Sequence, residues 1–218
     1  MYRLEAKKYA AAGLLAMETI KSVIFDWGGV LIDDPAPGLM EYCAKALKVS
    51  KEDYIKAHGK FEADFQKGLI RENVFWEQIC GELSVPKPNM HSLWAEAFKA
   101  AYVPRKSMFL MAALLQESGY KTAVLSNTEV PAMQHFHLQK YEMFDVAVFS
   151  CLEGVKKPDR EIYEITLKNL GSPPEQAIFI DDKQEYIDGA KEAGINTILF
   201  RNIDQVKGEL KQLGVKID

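Results

Sequence analysis

The 218-residue chain predicts an α/β fold: a doubly wound parallel sheet with a helical insert after its first strand. Three observations predict it. Ser22–Phe25 is a short apolar run ending on the carboxylate Asp26, with Gly28 and Gly29 just beyond. That is the pattern of a strand buried on both faces that stops at a turn. From Arg105 onward, strand-like and helix-like segments alternate, which argues for a parallel sheet wound by helices. Between these regions, the stretch from Leu39 to Tyr102 carries only helical spacing.

The elements follow in chain order. Residues 1–19 read as an N-terminal helical extension. Arg3, Lys7 and Lys8 precede the small-residue segment Tyr9–Met17, which faintly resembles a signal peptide. The segment is Ala-rich and weakly hydrophobic, with Glu5 before it and Glu18 after, and Met17 could itself open a domain. After the first strand, Asp33-Asp34-Pro35-Ala36-Pro37-Gly38 is a loop by its turn chemistry. The helical insert spans 35–103. Its apolar residues recur at three- and four-residue spacing in Leu39, Met40, Cys43, Leu47 and again in Phe61, Phe65, Leu69. Ser50 with Asp53 opens one helix in the capping-box manner, Pro86 and Pro88 interrupt the run, and Pro104 closes it.

Residues 20–34 and 104–218 form the core. A helix over about 107–117 ends at Gly119, and the strand Thr122–Ser126 follows. A helix near 131–138 leads to the strand Val146–Phe149. The next helix starts after Pro158, with Asp159 as N-cap, and stops at Gly171. Ser172, Pro173 and Glu175 mark a second helix start before the strand Ala177–Ile180. A helix over about 185–192, the strand Thr197–Phe200 and an amphipathic tail over 206–213 complete the chain.

Composition sets outer bounds. With 48% hydrophobic and 27% charged residues the chain can bury a sizeable core. A net charge of −4 gives no general reason to expect nucleic acid or an anionic membrane as partner. There is no apolar run near the length of a membrane span. Cys43, Cys80 and Cys151 are widely spaced and lack a CxxC, as reduced cytoplasmic thiols do.

Four sites fall at the carboxyl ends of the strands or in the loops beyond, the edge where open α/β folds bind ligands. They are Asp26, Ser126-Asn127, Lys156-Lys157-Pro158 and Asp181-Asp182. Carboxylates gathered there would repel one another unless a cation neutralised them, and hard oxygen ligands suit magnesium. A lysine and a hydroxyl at the same edge could bind phosphoryl oxygens. A carboxylate beside magnesium can attack phosphorus to give an aspartyl-phosphate that water hydrolyses.

Taken together, these residues resemble the motif set of the haloacid dehalogenase superfamily of hydrolases, in the subfamily with a helical cap inserted after the first strand. Asp26 matches the first motif, Ser126-Asn127 the second, Lys157 within Lys157-Pro158-Asp159-Arg160-Glu161-Ile162-Tyr163 the third, and Phe179-Ile180-Asp181-Asp182 the fourth. The stretch Phe65-Gln66-Lys67-Gly68-Leu69-Ile70, with Phe75-Trp76 after it, is similar to the branch containing sugar-1-phosphate phosphatases and the phosphatase domain of soluble epoxide hydrolase. The resemblance covers about residues 20–214. It implies a Rossmann-like core with a helical cap, and a phosphatase acting with magnesium on a small phosphorylated metabolite. It further implies that Asp26 is nucleophile and metal ligand, that Ser126 donates to phosphoryl oxygens and that Asn127 supports the loop. Lys157 would neutralise charge between nucleophile and phosphate. Asp182 would hold magnesium directly, Asp181 directly or through water, and the carbonyl of Gly28 would be a further ligand.

One position departs from the family pattern. Phosphatases of the superfamily usually carry a second Asp two residues after the nucleophile as general acid and base; here Gly28 stands there. That help is typically worth about a hundred- to ten-thousandfold in rate. A cap residue or water would have to protonate the leaving group, or the leaving group would have to need little help. The alternative is a non-catalytic binding domain. Asp-Trp-Gly-Gly is also similar to the phosphonoacetaldehyde hydrolase branch, whose Schiff-base lysine would have to come from Lys56, Lys60 or Lys67. The paired Asp181-Asp182 argues against the metal-free 2-haloacid dehalogenase branch. His135 and His137 read as exposed helix residues, Asp33 and Asp34 as loop-capping residues, Trp27 as a packing residue or part of the cap interface, and Lys156 as exposed.

Overall fold

The computed structural model describes residues 19–217; the expected N-terminal extension lies almost wholly outside the described residues. Five parallel strands form one sheet: β1 (Ser22–Phe25), β2 (Lys121–Ser126), β3 (Val146–Phe149), β4 (Ala177–Asp181) and β5 (Asn196–Leu199), in the order β3-β2-β1-β4-β5. β1 is central. The chain steps to one side of it for β2 and β3 and to the other for β4 and β5, so the winding reverses beside β1. A crevice opens at such a reversal, beyond the carboxyl ends of the strands.

Alternation along the strands supplies both faces. Val23 and Phe25 join Val124, Ile178 and Ile180 in one apolar cluster, whereas Ile24 joins Ala123, Leu125 and Phe179 in the other. Each is the side-chain period of a strand read against helices above and below it. β1 is fully buried over its whole length, which is why its sequence reads as a continuous apolar run.

Between β1 and β2 lie helices α1 (Ala36–Leu47), α2 (Lys51–His58), α3 (Glu62–Gln66), α4 (Glu72–Leu83) and α5 (Leu93–Ala101), followed by α6 (Lys106–Glu117), which packs on β2. The first five form the helical insert. Ser50 caps α2 as expected, its Oγ accepting from the Asp53 N–H at 3.0 Å. Phe65, Phe75, Trp76 and Trp94 knit the insert together, the Phe65 and Phe75 rings stacking at 4.2 Å between centroids. The core continues with α7 (Val130–Leu138), α8 (Ser150–Glu153), α9 (Arg160–Leu170), a 3₁₀ turn (Pro174–Gln176), α10 (Gln184–Glu192) and α11 (Ile203–Gln212). Helix α9 stops at Gly171, whose φ of 59° suits a left-handed cap.

Two expectations are refined, and one element goes beyond them. Asp159 stands at the N-cap of α9 as expected, but its side chain makes no capping hydrogen bond; its carboxylate pairs with Lys67 of the insert at 3.4 Å. The start at Ser172–Glu175 goes no further than a single 3₁₀ turn, because Gln176 is followed at once by β4. The turn α8 directly after β3 was not anticipated, since four residues are too few to show periodicity. The three cysteines are buried and free. Among the described residues no helix is long and apolar enough to cross a membrane.

Candidate active site

β1 and β4 run side by side, and the Asp26 N–H donates to the Ile180 carbonyl at 2.9 Å. That register brings Asp26 and Asp181 to the same edge. The loop before α9 brings in Lys157, and its ammonium contacts Asp26 Oδ1 at 2.8 Å and Asp181 Oδ2 at 2.6 Å. Lys157 is 1% exposed and also donates to the Leu125 carbonyl at 3.2 Å. Its position is fixed by Asn127. The Asn127 amide donates to the Lys157 carbonyl at 2.9 Å and its Oδ1 accepts from the Lys157 N–H at 2.8 Å. Asn127, expected to support the loop, thus reaches the lysine's own backbone.

Asp181 is hydrogen-bonded through both oxygens. Besides Lys157 it accepts from the Lys183 N–H through Oδ1 at 2.8 Å. Asp182 is not: its Oδ1 is buried and has no hydrogen-bond partner among the described residues. Ligand oxygens of Asp26, Asp181 and Asp182 lie within 4.8 Å of one another. Three carboxylates face one ammonium, and burying an unbalanced negative charge is costly. Burial, with the Asp181 charge second, pushes the Asp26 carboxyl up to about 7 against the pull of Lys157. Burial followed by the Asp181 charge also raises Asp182. Burial alone would lower Lys157, but the charges of Asp181 and Asp26 outweigh it and hold the ammonium above its ordinary range.

The glycines shape this corner. Gly29 has φ of +89°, and a Cβ there would run into the Asp182 carboxylate. Its carbonyl accepts from the Arg105 guanidinium, which also pairs with Asp33 at 2.8 Å and lies over the Phe200 ring. A hard divalent cation suits an all-oxygen set with an unpartnered buried carboxylate oxygen, so the residues present fit magnesium.

Above the sheet edge is a cavity of about 270 Å³. Asp26, Gly28, Ser126, Asn127 and Lys157 line it, and so does Asp34, whose carboxylate also accepts from the Ala36 N–H at 3.1 Å. Ser126 is 4% exposed. Gly28 has little spare room: a Cβ there would come within 3.2 Å of the Pro35 ring. Trp27 packs on Phe98 and Phe136 at 5.0 and 5.2 Å between centroids, so it joins the insert to α7. Lys156, expected to be exposed, is half-buried in the cavity wall, where its ammonium donates to Gln66 Oε1 at 3.0 Å.

Sequence reasoning missed part of this wall. His58, Glu62, Gln66, Trp94, Glu129 and Tyr186 all line the cavity. His58 closes α2 whereas Glu62 and Gln66 are the two ends of α3, so their four-residue spacing crosses a helix break and is no single-face signal. Of the other candidates, His135 and His137 lie on α7 and lie outside the cavity lining. Lys56, Lys60 and Lys67 of the insert also lie outside the cavity lining; Lys60 pairs with Glu82 at 2.5 Å and Lys67 with Asp159.

The chain matches the family described as haloacid dehalogenase-like hydrolase over residues 20–194. It is 32% identical over 213 residues to acyl-CoA dehydrogenase family member 10 of Mus musculus, covering 88% of this chain but only 19% of that protein. It is 28% identical over 205 residues to sesquiterpene phosphatase astK of Aspergillus oryzae, covering 89% of this chain and 97% of that one. Among solved structures, a HAD family enzyme from Bacteroides thetaiotaomicron superposes with a TM-score of 0.71 at 22% identity, over 84% of this chain and 95% of that chain. A mutant of that enzyme in complex with magnesium and inorganic phosphate gives 0.69 at 24%, over 84% and 94% of the two chains. With a family match that runs from the start of β1 to the end of α10, the chain belongs to the haloacid dehalogenase-like hydrolases.

Proposed function

We propose that the protein is a magnesium-dependent phosphatase that hydrolyses a small phosphorylated metabolite in the cytoplasm, with Asp26 as the nucleophile. The observation that carries this is the meeting of Asp26, Lys157, Asp181 and Asp182 at one sheet edge, open to the cavity lined by Ser126. The phosphatase among its relatives supports the same reading.

Asp26, Asp182 and Asp181 would hold magnesium, with the Gly28 carbonyl as a further ligand. When bound, the cation supplies charge neutralisation and polarises the phosphoryl oxygens. One Asp26 oxygen is held by Lys157. The other attacks phosphorus, the bond to the leaving oxygen breaks, and water then cleaves the aspartyl-phosphate. Ser126 donates its hydroxyl to a phosphoryl oxygen at the end of β2. Lys157 counters charge on both the nucleophile and the transferring group, and its buried, doubly paired ammonium needs no reorganisation to do so. Asn127 keeps it there.

The test is phosphate release from a panel of sugar phosphates and an aryl phosphate, with and without magnesium. The expected result is turnover that depends on magnesium and is abolished by Asp26→Asn. Unchanged turnover in that variant overturns the reading.

A further inference from the structure

Departure of the leaving group from phosphorus leaves a negative charge on its oxygen, and Gly28 has no side chain to supply a proton. The ring of Pro35 stands 3.2 Å from where a Cβ at position 28 would be, so a side chain there would have little room. A donor must come from elsewhere in the cavity wall. Seven acid–base groups outside the metal and phosphate sites line it: Asp34, His58, Glu62, Glu129, Lys156, Lys183 and Tyr186. Asp34 is exposed and its carboxylate already accepts from the Ala36 N–H, while the Tyr186 ring lies against the ammonium groups of Lys157 and Lys183. Lys156 is held by Gln66, and the His58 ring stacks on Trp94, where burial disfavours its charged form. Lys183 directly follows the metal carboxylates, and its ammonium lies over the Tyr186 ring. The Glu62 carboxylate is 43% exposed and already accepts from Gln66 at 3.2 Å.

Glu129 differs from all of these. It is 5% exposed and sits three residues beyond Ser126 on the same loop, at the N-terminus of α7. Its Oε2 accepts from the Trp94 indole N–H at 3.0 Å, and that bond ties it to the insert. We propose that Glu129 is the general acid and base of the reaction, in the role that Gly28 cannot fill; the proposal rests on the phosphatase reading above.

In the first step an Asp26 oxygen bonds to phosphorus as the bond to the leaving oxygen breaks. The electron pair stays on that oxygen, which takes the proton from the Glu129 carboxyl. In the second step the Glu129 carboxylate takes a proton from water as the water oxygen bonds to phosphorus and the bond to Asp26 breaks. Glu129 ends as it began, and only water is consumed. Burial pushes its carboxyl up to about 7, which leaves it able both to give and to take a proton near neutral pH. The groups around it are Glu62, Gln66 and Trp94 from the insert, Cys43 and Tyr54 beneath them, and Cys151 of α8.

A proton donor matters most for a poor leaving group. The test compares phenyl phosphate with p-nitrophenyl phosphate, whose leaving phenolate needs little help, in wild type, Glu129→Gln and Glu129→Asp. Expected for Glu129→Gln is a loss of about a hundredfold or more in kcat/KM on phenyl phosphate, with a loss under about tenfold on p-nitrophenyl phosphate and partial recovery in Glu129→Asp. Trp94→Phe, which keeps the carboxyl but frees it, gives the same bias at smaller size and serves if the Gln variant does not fold. Equal losses on both esters, or no loss on either, overturn the proposal. If the wild type releases phosphate from neither ester nor from any of the sugar phosphates, the phosphatase reading itself fails, a result distinct from a loss of leaving-group bias in an active enzyme.

Discussion

Lys157 carries more of the site than any other residue, because its one buried ammonium answers both Asp26 and Asp181. Removing one member of a buried pair leaves an uncompensated charge, which typically costs about 3–5 kcal/mol. Lys157→Met is therefore expected to abolish turnover and to lower stability by about that amount in urea titrations. A variant of wild-type stability would contradict the charge assignment. Gly29 acts on the opposite side of the cluster. Its φ of +89° and the Asp182 carboxylate standing where a Cβ would go leave no room for a methyl group. Gly29→Ala should displace that carboxylate and raise the magnesium concentration needed for half-maximal rate by about tenfold or more, the effect of losing one ligand's orientation. An unchanged magnesium requirement would show that Asp182 does not hold the metal.

At the scale of elements, the loop after β2 and the loop before α9 are joined by two hydrogen bonds from one amide. Asn127→Ala removes both and strands a backbone N–H and C=O of a buried residue. Each stranded group costs about 1–3 kcal/mol, so the unfolding midpoint should fall and kcat should drop as Lys157 loosens, with a smaller effect on KM. A normal kcat would separate the loop from the lysine's placement. The elements themselves were legible to unequal degrees. β1 and β3 fall where their apolar runs begin and end, since burial on both faces leaves a continuous signal. Helix α8 was not legible, and neither was the Asp159–Lys67 pair, because a capping residue and an ion-pairing residue look alike in sequence. Arg105 also passed unread. Its bonds to Asp33 and Gly29 join segments more than seventy residues apart, as the separations of 72 and 76 show.

For the whole molecule, the residues of the four motifs are far apart in sequence and meet only because the sheet order places β2 and β4 on either side of β1. That much could be expected from strand ends, and Asp26, Lys157, Asp181 and Asp182 do gather there. The other wall of the cavity could not be read. His58, Glu62, Gln66 and Trp94 come from helices whose polar residues, in sequence, look like a solvated face, and only the packing of the insert over the sheet turns them inward. Glu129 was hidden for a related reason, since an acidic residue at a helix N-terminus has an ordinary electrostatic role there. The same packing seals the insert to the core through the Ser150 hydroxyl, which donates to the Gln66 carbonyl at 2.6 Å while accepting from the Thr128 N–H at 2.9 Å.

Every step of the account passes through a phosphoryl group held covalently by Asp26. Borohydride reduces an acyl phosphate on aspartate to homoserine, so trapping during turnover followed by peptide mapping reads the attachment point directly. The account predicts homoserine at position 26 in the wild type with magnesium and substrate, and none in Asp26→Asn. Homoserine at another position, or none while phosphate is being released, would contradict it.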